Sequence, residues 1–450
     1  MVSIATLRSR KEVDLEISFK KFEPSLETFV QQYSGIYRKR LQTLWPVLLS
    51  KIEQKWNPNI GTALQPQNLT ILSKIGDVSE KNDLAIIGTL SLSQKGKPSI
   101  LEEISKSLWE KESSFPKNFW SENDELWLED ESGRILLELS NMKTAPVLVN
   151  GMVVAFYGDV LSNGTFVVKE FLDPGLAKQK EVQNHSIDQE SDKYIAIISG
   201  LGLNQTESIT KPMQMFAEFL SGVLGSDTAS SLASSISCLV VAGNSIDIND
   251  TSSDFVLEKA KQYGLANTND SVISSVINDE KDAFNNLDNY FVELAKLLPV
   301  LVMPGDLDPV SVLMPQKKIP ANILLPNSLK YSSFYPLTNP SWFSIDEIKK
   351  STKNKSALEV SISTLTGRHI CPTSPDTLPC YPSLNHDPFI LYEAPHVYFI
   401  GNQESFDITT YTDENGCKVT IVLVPKFKTT GDVVLINTSN FEAKIINFEL

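Results

Sequence analysis

Histidine is scarce in this chain: four residues in 450, at His185, His369, His386 and His396. A site that holds two cations with several imidazoles has few donors to draw on here. Cysteine is equally scarce, at Cys238, Cys371, Cys380 and Cys417, and no two are spaced as Cys-x-x-Cys. That argues against a zinc or iron–sulfur site built from this chain alone. Cys371 and Cys380 flank a Pro-rich loop, and the favoured reading of both is a reduced thiol. No apolar run reaches the length of a membrane span. Residues 1–14 contain no apolar core of signal-peptide length. The expectation is a soluble intracellular protein, in which sequons such as the one at Asn163 are incidental. Positive charge is also short: 40 Lys and Arg against 55 Asp and Glu give a net charge of −15. A protein that grips nucleic acid over its whole surface needs the reverse. The basic cluster Arg38, Lys39 and Arg40 reads as a solvated helix face. The stretch from Gly200 to Gln205 begins like a dinucleotide loop but lacks the third glycine. There is no Gly-x-Ser-x-Gly elbow and no Walker A lysine.

What the chain does have is core. Hydrophobic residues make up 41 % of it, too many for a disordered protein, and its length implies two or three domains. Residues 25–56 carry apolar side chains at three-to-four spacing and predict a helix, with a kink or break at Trp45-Pro46. From about residue 67 the period shortens. Residues 84–92 predict a strand in which Gly88 marks a bulge or bend. Residues 99–109 predict a short helix, with Ser99 and Glu102 at capping-box spacing. Residues 126–129 and 135–139 predict a hairpin around Asp130-Glu-Ser-Gly133, and 147–160 with 165–171 another around Ser162-Asn-Gly164. Short strands with one helix in about a hundred residues point to a five-stranded barrel of oligonucleotide-binding (OB) type. Its turns are acidic, which favours a protein-binding module over a single-strand binder.

Residues 176–192 are polar and read as a linker. Beyond them, buried strands alternate with helical stretches at 211–224 and 286–298, the pattern of parallel crossovers. The Asn-, Ser- and Asp-rich stretches 247–254 and 266–279 read as surface loops. Residues 368–388 form a proline-dense block, expected to be a rigid functional loop.

Four Val- and Ile-rich runs end in a glycine-marked turn: 194–201, 238–247, 300–308 and 397–404. Ligands of open α/β sheets bind at such strand ends. A two-metal phosphoesterase would place Asp, Asn and His ligands on these turns. Here the first turn offers Ser199, the second Asn244 and Asp247, the third Asp306, Leu307 and Asp308, and the last Asn402 and Glu404. Imidazole is missing at every turn, and the remaining acids read as turn residues.

These runs, with 372–382 (PTSPDTLPCYP), 387–406 and the terminal strands, closely resemble the small (B) subunits of the DNA polymerase delta family. Residues 86–105, 122–139 and 150–168 resemble that family's OB domain, and 31–41 its leading helix. The resemblance covers nearly the whole chain, and 372–382 is specific to delta rather than to its alpha or epsilon relatives. It implies a two-domain fold: an OB barrel, then a calcineurin-like, metallophosphoesterase-type β-sandwich flanked by helices, with a degenerate active site. The implied organisation is a helical segment at 1–60, an OB domain at 61–175, a linker at 176–192 and the phosphoesterase-like domain at 193–450. It further implies a non-catalytic scaffold in the nucleus, with no cofactor, no metal and no membrane. Its partners would be the C-terminal domain of the polymerase delta catalytic subunit and, on the OB side, a third, clamp-linking subunit. In some organisms polymerase zeta shares this protein. DNA would be met only indirectly or weakly. Tyr381, Phe389 and Tyr392, in or near the proline-dense block, are the candidate partner contacts, and Tyr398 reads as core. At 341–367 the chain is shorter than its relatives and Lys/Ser-rich.

Two other readings compete. One is an active metal-dependent phosphodiesterase or exonuclease using the remaining acids, as in archaeal relatives with intact ligands. The other is direct single-stranded DNA binding by the barrel.

Overall fold

The computed structural model describes residues 10, 22, 33–56, 69–79, 82–95, 121, 124–140, 142, 146–180, 193–203, 209–247, 270–341, 356–383 and 386–448. For 270–282 only the backbone is described. The helix expected at 99–109, the first residues of the 25–56 helix, most of the loop stretch at 247–254, residues 266–269 of the second loop stretch and residues 342–355 of the shortened segment lie outside these residues.

Helix α1 runs Ser34–Lys55 and passes through Pro46 without a break. The expected kink does not form, and packing explains why. Ile36, Leu44, Leu48 and Ile52 are buried along one face, while Pro46 points to solvent. Four buried aliphatic side chains, at about 1.5–3 kcal/mol each, outweigh the ~3 kcal/mol cost of an interior proline.

The face of α1 lies on a barrel. Its strands are β1 (Thr70–Ile71), β2 (Leu84–Ser93), β3 (Glu125–Glu129), β4 (Arg134–Glu138), β5 (Val153–Val160) and β6 (Phe166–Leu172). The order β1-β2-β3-β4-β6-β5, closed by a β2–β5 pairing, gives the expected five-stranded ring with β1 added in parallel. Both predicted hairpins are present. β2 pairs with β5 through its first half and with β3 through its second. Gly88 sits at this exchange, in unbroken register, so no bulge forms there. Its lack of a side chain is still needed: a Cβ would come within 2.7 Å of Leu128 Cγ and 2.8 Å of the Glu129 carbonyl.

The second unit is a sandwich. One sheet has the order β10-β9-β8-β7-β14-β15. It contains β7 (Tyr194–Ile198), β8 (Ile236–Ala242), β9 (Val300–Met303), β10 (Phe334–Pro336), β14 (Asp432–Asn437) and β15 (Ala443–Asn447). Strands β7 to β10 are parallel, as the alternation with helices requires. The smaller sheet, in the order β11-β13-β12, comprises β11 (Val397–Gln403), β12 (Asp407–Thr412) and β13 (Lys418–Pro425). The fourth apolar run thus belongs to a different sheet from the other three. Ile197, Cys238, Val240, Phe399, Val422 and Val434 fill the space between the sheets. On the outer face of the large sheet, Met213, Phe216 and Leu220 of α2 (Lys211–Leu220) and Leu287, Phe291 and Leu294 form the helix-side core. Helix α3 is Asp227–Ser235.

Helix α4 runs Asp270–Ala295, longer than the 286–298 predicted. Residues 270–279, expected as loop, are its first turns. Helix α5, Ala357–Thr366, is absent from the sequence-based expectations, although its signal is present. Ser356 Oγ accepts from Glu359 N at 3.2 Å and Ser356 N donates to Glu359 Oε2 at 2.9 Å, a capping box.

Barrel and sandwich share one core. Val419, Ile421 and Leu423 of β13, with Tyr398 and Ile400 of β11 and Val360 of α5, cluster with barrel residues Leu84, Ile86, Leu128 and Phe156. Tyr398 is core, as expected. The start of the assigned linker is part of this joint: Leu176 and Ala177 are buried. Gln179 donates to the carbonyls of Pro395 (2.9 Å) and Lys418 (2.8 Å). Arg368 donates to those of Gly175 and Leu176, both at 2.8 Å. The rest of that stretch, 181–192, lies outside the described residues.

Candidate functional site

The four glycine-marked turns converge at the carboxyl ends of their strands and are held by one another. Gly200 N donates to the Gly243 carbonyl (2.9 Å), and Gly202 N to that of Asn244 (3.0 Å). Ser199 Oγ donates to the carbonyls of Val424 (3.2 Å) and Pro425 (3.0 Å) and accepts from Asn402 N (2.9 Å). Asn244 Oδ1 accepts from Leu307 N at 3.1 Å. Asn244 and Asn402 both have positive φ, at 53° and 59°, a backbone region that asparagine tolerates better than most residues.

Asp308 is the buried charge of this cluster. Its carboxylate accepts from Ile246 N (3.0 Å) and Gly305 N (2.8 Å). Burial pushes its pKa up to about 6, against the opposing pull of these backbone donors. Its oxygens are therefore committed to the loop backbone. Asp306 and Glu404 are exposed and Asp247 is half-buried. Among the described residues, no three His, Cys, Asp or Glu side chains come together as a metal cage. The turns bring Ser199 to Asn402, Asn244 to Leu307, and Asp308 to the 243–246 loop. Asp306 and Glu404 take part in none of these bonds.

The partner candidates separate. Tyr392 is 60 % exposed. Tyr381 is half-buried, with the Lys317 ammonium 5.7 Å from its ring centroid. Phe389 is only 1 % exposed and packs edge-on to His369. It is a core side chain and not a surface anchor: apolar neighbours in the shared core bury it.

A second site escapes the sequence reading. Arg38 is exposed and pairs with Glu131 at 2.8 Å, as a solvated face requires. Arg40, two residues on, is fully buried. Its Nε donates to Asp387 Oδ2 (2.9 Å), its Nη1 to the carbonyls of Gly151 (2.9 Å) and Pro372 (2.8 Å), and its Nη2 to that of Ser374 (2.8 Å). His369 Nε2 lies 2.9 Å from the same Asp387 oxygen. Burial, aided by Arg40, pushes the His369 pKa down to about 4, so the ring is neutral at pH 7 and Nε2 carries the proton. Burial alone would raise Asp387, but His369 and Arg40 outweigh it and hold the carboxyl well below the usual range. One guanidinium thus joins α1, the barrel loop at Gly151 and the proline-dense block. A signal for it exists in the sequence: positions 36, 40, 44, 48 and 52 form one stripe at i, i+4 spacing, and Arg40 occupies its second place.

Comparison with known proteins agrees with this architecture. The family of DNA polymerase delta OB-fold domains matches residues 32–171. The family of B subunits of DNA polymerases alpha and epsilon matches residues 195–408. The chain is 32 % identical to the DNA polymerase delta small subunit of Arabidopsis thaliana, over 98 % of this chain and 97 % of the relative. It is 33 % identical to that of Oryza sativa, over 93 % of each. It is 29 % identical to DNA polymerase delta subunit 2 of Drosophila melanogaster, over 99 % of each. On this full-length likeness, the chain belongs to the family of DNA polymerase delta small subunits.

Proposed function

We propose that this chain is the non-catalytic accessory subunit of a DNA polymerase delta complex in the nucleus, acting in DNA replication. It would hold the C-terminal domain of the catalytic subunit and, on the barrel side, a third subunit. The observation that carries the non-catalytic reading is the state of the strand-end turns. Ser199 Oγ, Asn244 Oδ1 and the backbone N–H of Asn402 bind loop to loop, and the one buried carboxylate, Asp308, is occupied by backbone N–H groups. Two-metal hydrolysis needs carboxylates and imidazoles free to hold cations. We read the sandwich as a calcineurin-like domain whose metal site has been converted into a rigid scaffold. The domain boundaries proposed are 1–60, 61–175 and 193–450, with a joining segment shortened to about 181–192 by the packing of Leu176, Ala177 and Gln179.

A permanent interface of this kind buries about 2,000–5,000 Å² and centres on a few anchors. Tyr392 and Tyr381 are the anchors proposed on the proline-dense block. The deciding experiment is size-exclusion chromatography of the purified chain with the catalytic subunit's C-terminal domain. Co-elution at equal stoichiometry is expected; separate elution overturns the reading. A Mn²⁺-dependent phosphodiesterase activity that disappears in Asp306→Ala and Asp308→Ala would instead establish the enzyme.

A further inference from the structure

The chain meets the sandwich well before α1 begins. Arg10 is half-buried against the ends of two helices on the outer side of the large sheet. Its Nη1 donates to the carbonyls of Ala233 (2.9 Å) and Ile236 (2.7 Å), and its Nη2 to that of Leu220 (2.6 Å). Leu220 is the last residue of α2, Ala233 lies in the last turn of α3, and Ile236 opens β8.

These carbonyls are ones that the local chain serves poorly. A helix end leaves its last carbonyls without intrahelical donors and carries partial negative charge. A basic side chain in the last turn can answer both needs, and neither α2 nor α3 has one. Behind α2, the backbone N–H groups of Ser221, Gly222 and Val223 take the carbonyls of Ala217, Phe219 and Glu218. Leu220 is the next in line, and its carbonyl goes to Arg10. Ile236 stands where the register of β8 against β7 shifts, a place where a ladder is locally disrupted. Burial lowers the Arg10 pKa, yet a guanidinium keeps its charge at neutral pH. Its planar fork presents two nitrogens at once, so one side chain bridges both helix ends and the start of the strand.

We infer that the carbonyls of Leu220, Ala233 and Ile236 form a guanidinium socket, filled by the chain's own Arg10, which caps α2 and α3 together and fastens the start of the chain to the sandwich. Arg10 is thus a positioning residue for the helix layer. Phe22 packs on the core that barrel and sandwich share, and α1 lies on the barrel. The residues ahead of α1 therefore serve both units rather than the barrel alone. The inference is independent of the partners proposed above.

The test is hydrogen–deuterium exchange of the full chain and its Arg10 variants. In Arg10→Ala, the amides of 214–220 and 230–236 should exchange about tenfold faster or more, because three hydrogen bonds to a charged group are lost there. The amides of β2 and β5 in the barrel should change less. Millimolar methylguanidinium should restore protection in Arg10→Ala, and methylammonium should not. Arg10→Lys keeps the charge and so the fold, but its side chain ends one bond short with a single nitrogen, and it should recover only part of the protection. Unchanged exchange at 214–236 in Arg10→Ala, equal rescue by the two cations, no rescue by either, or full protection in Arg10→Lys would each overturn the proposal.

Discussion

Arg40 and Asp387, 347 residues apart in the chain, form a fully buried ion pair with Nε 2.9 Å from Oδ2. The pair lies where helix, barrel and sandwich meet. The other guanidinium nitrogens of Arg40 are bonded to carbonyls, and Asp387 also accepts from His369, so the hydrogen-bonding groups of the pair are satisfied inside the protein. A buried pair of this kind contributes little over an apolar replacement of both partners, but breaking it from one side is costly.

Arg40→Met is therefore expected to lower stability by about 3–5 kcal/mol, since Asp387 would remain buried and unpaired. Arg38→Ala, at the exposed Glu131 pair, should stay within about 0.5 kcal/mol. Urea unfolding of the two variants checks the contrast. Equal effects would mean that Arg40 is not the joint described here.

Two buried groups give opposite pH slopes. His369 has its pKa lowered from 6.5 to about 4, so between those values the unfolded chain binds a proton that the folded chain does not. Stability from this group is full above about pH 6.5 and is lost as pH falls towards 4, by up to about 1.4 kcal/mol per unit. Asp308 has its pKa raised from 3.8 to about 6, so its contribution is full below 3.8 and is lost as pH rises towards 6. His369→Gln should leave a net loss of stability with rising pH across about 4–6. Asp308→Asn should leave a net gain. Unfolding free energies at several pH values separate them, and slopes of the same sign in both variants would refute the assignment.

Asp308→Asn has a second consequence at neutral pH. The amide can still accept through one oxygen, but the backbone N–H groups of Ile246 and Gly305 would then compete for it. A loss of about 1–3 kcal/mol is expected from the orphaned donor. Asp306→Ala, at an exposed side chain, should change stability by no more than about 0.5 kcal/mol. Because the turns are bound by protein groups, EDTA should leave the thermal midpoint unmoved; a fall on chelation would point to a structural cation.

Gly151 and Gly164 share nearly the same backbone, with φ of 81° and 82°, and differ in surroundings. A Cβ on Gly151 would lie 2.0 Å from the Pro372 carbonyl oxygen, whereas nothing lies within 4 Å of one on Gly164. Gly164→Ala should therefore cost only the conformational penalty, about 1 kcal/mol. Gly151→Ala must also separate the barrel from the proline-dense block, and a loss of several times that is expected. Comparable thermal midpoints for the two variants would mean the joint yields more readily than its spacing indicates.

Much of the fold is legible in the residues themselves. The turns at Asp130-Glu-Ser-Gly133 and Ser162-Asn-Gly164 specify both hairpins, and β4 alternates because a strand with one buried face writes its period into the sequence. The Val- and Ile-rich runs identify strands buried on both faces, and the turns show which metal ligands are missing. The full length of α4 is not legible because polar residues at its start mask the period. Helix α5 is obscured because its capping box sits in a Lys/Ser-rich stretch.

Sequence alone therefore determined the local elements, the family and the absence of imidazoles at the strand ends. Those properties are set by neighbours within a few residues. Tertiary structure decided that Arg40 is buried while Arg38 is not, that Phe389 is core, that α1 continues through Pro46 and that barrel and sandwich share one interior. Each of these depends on a partner far away in the chain. Burial of a charge or continuation through a proline is favourable only once that partner is in place; the stripe of α1 places Arg40 on the buried face but does not name the carboxylate it meets.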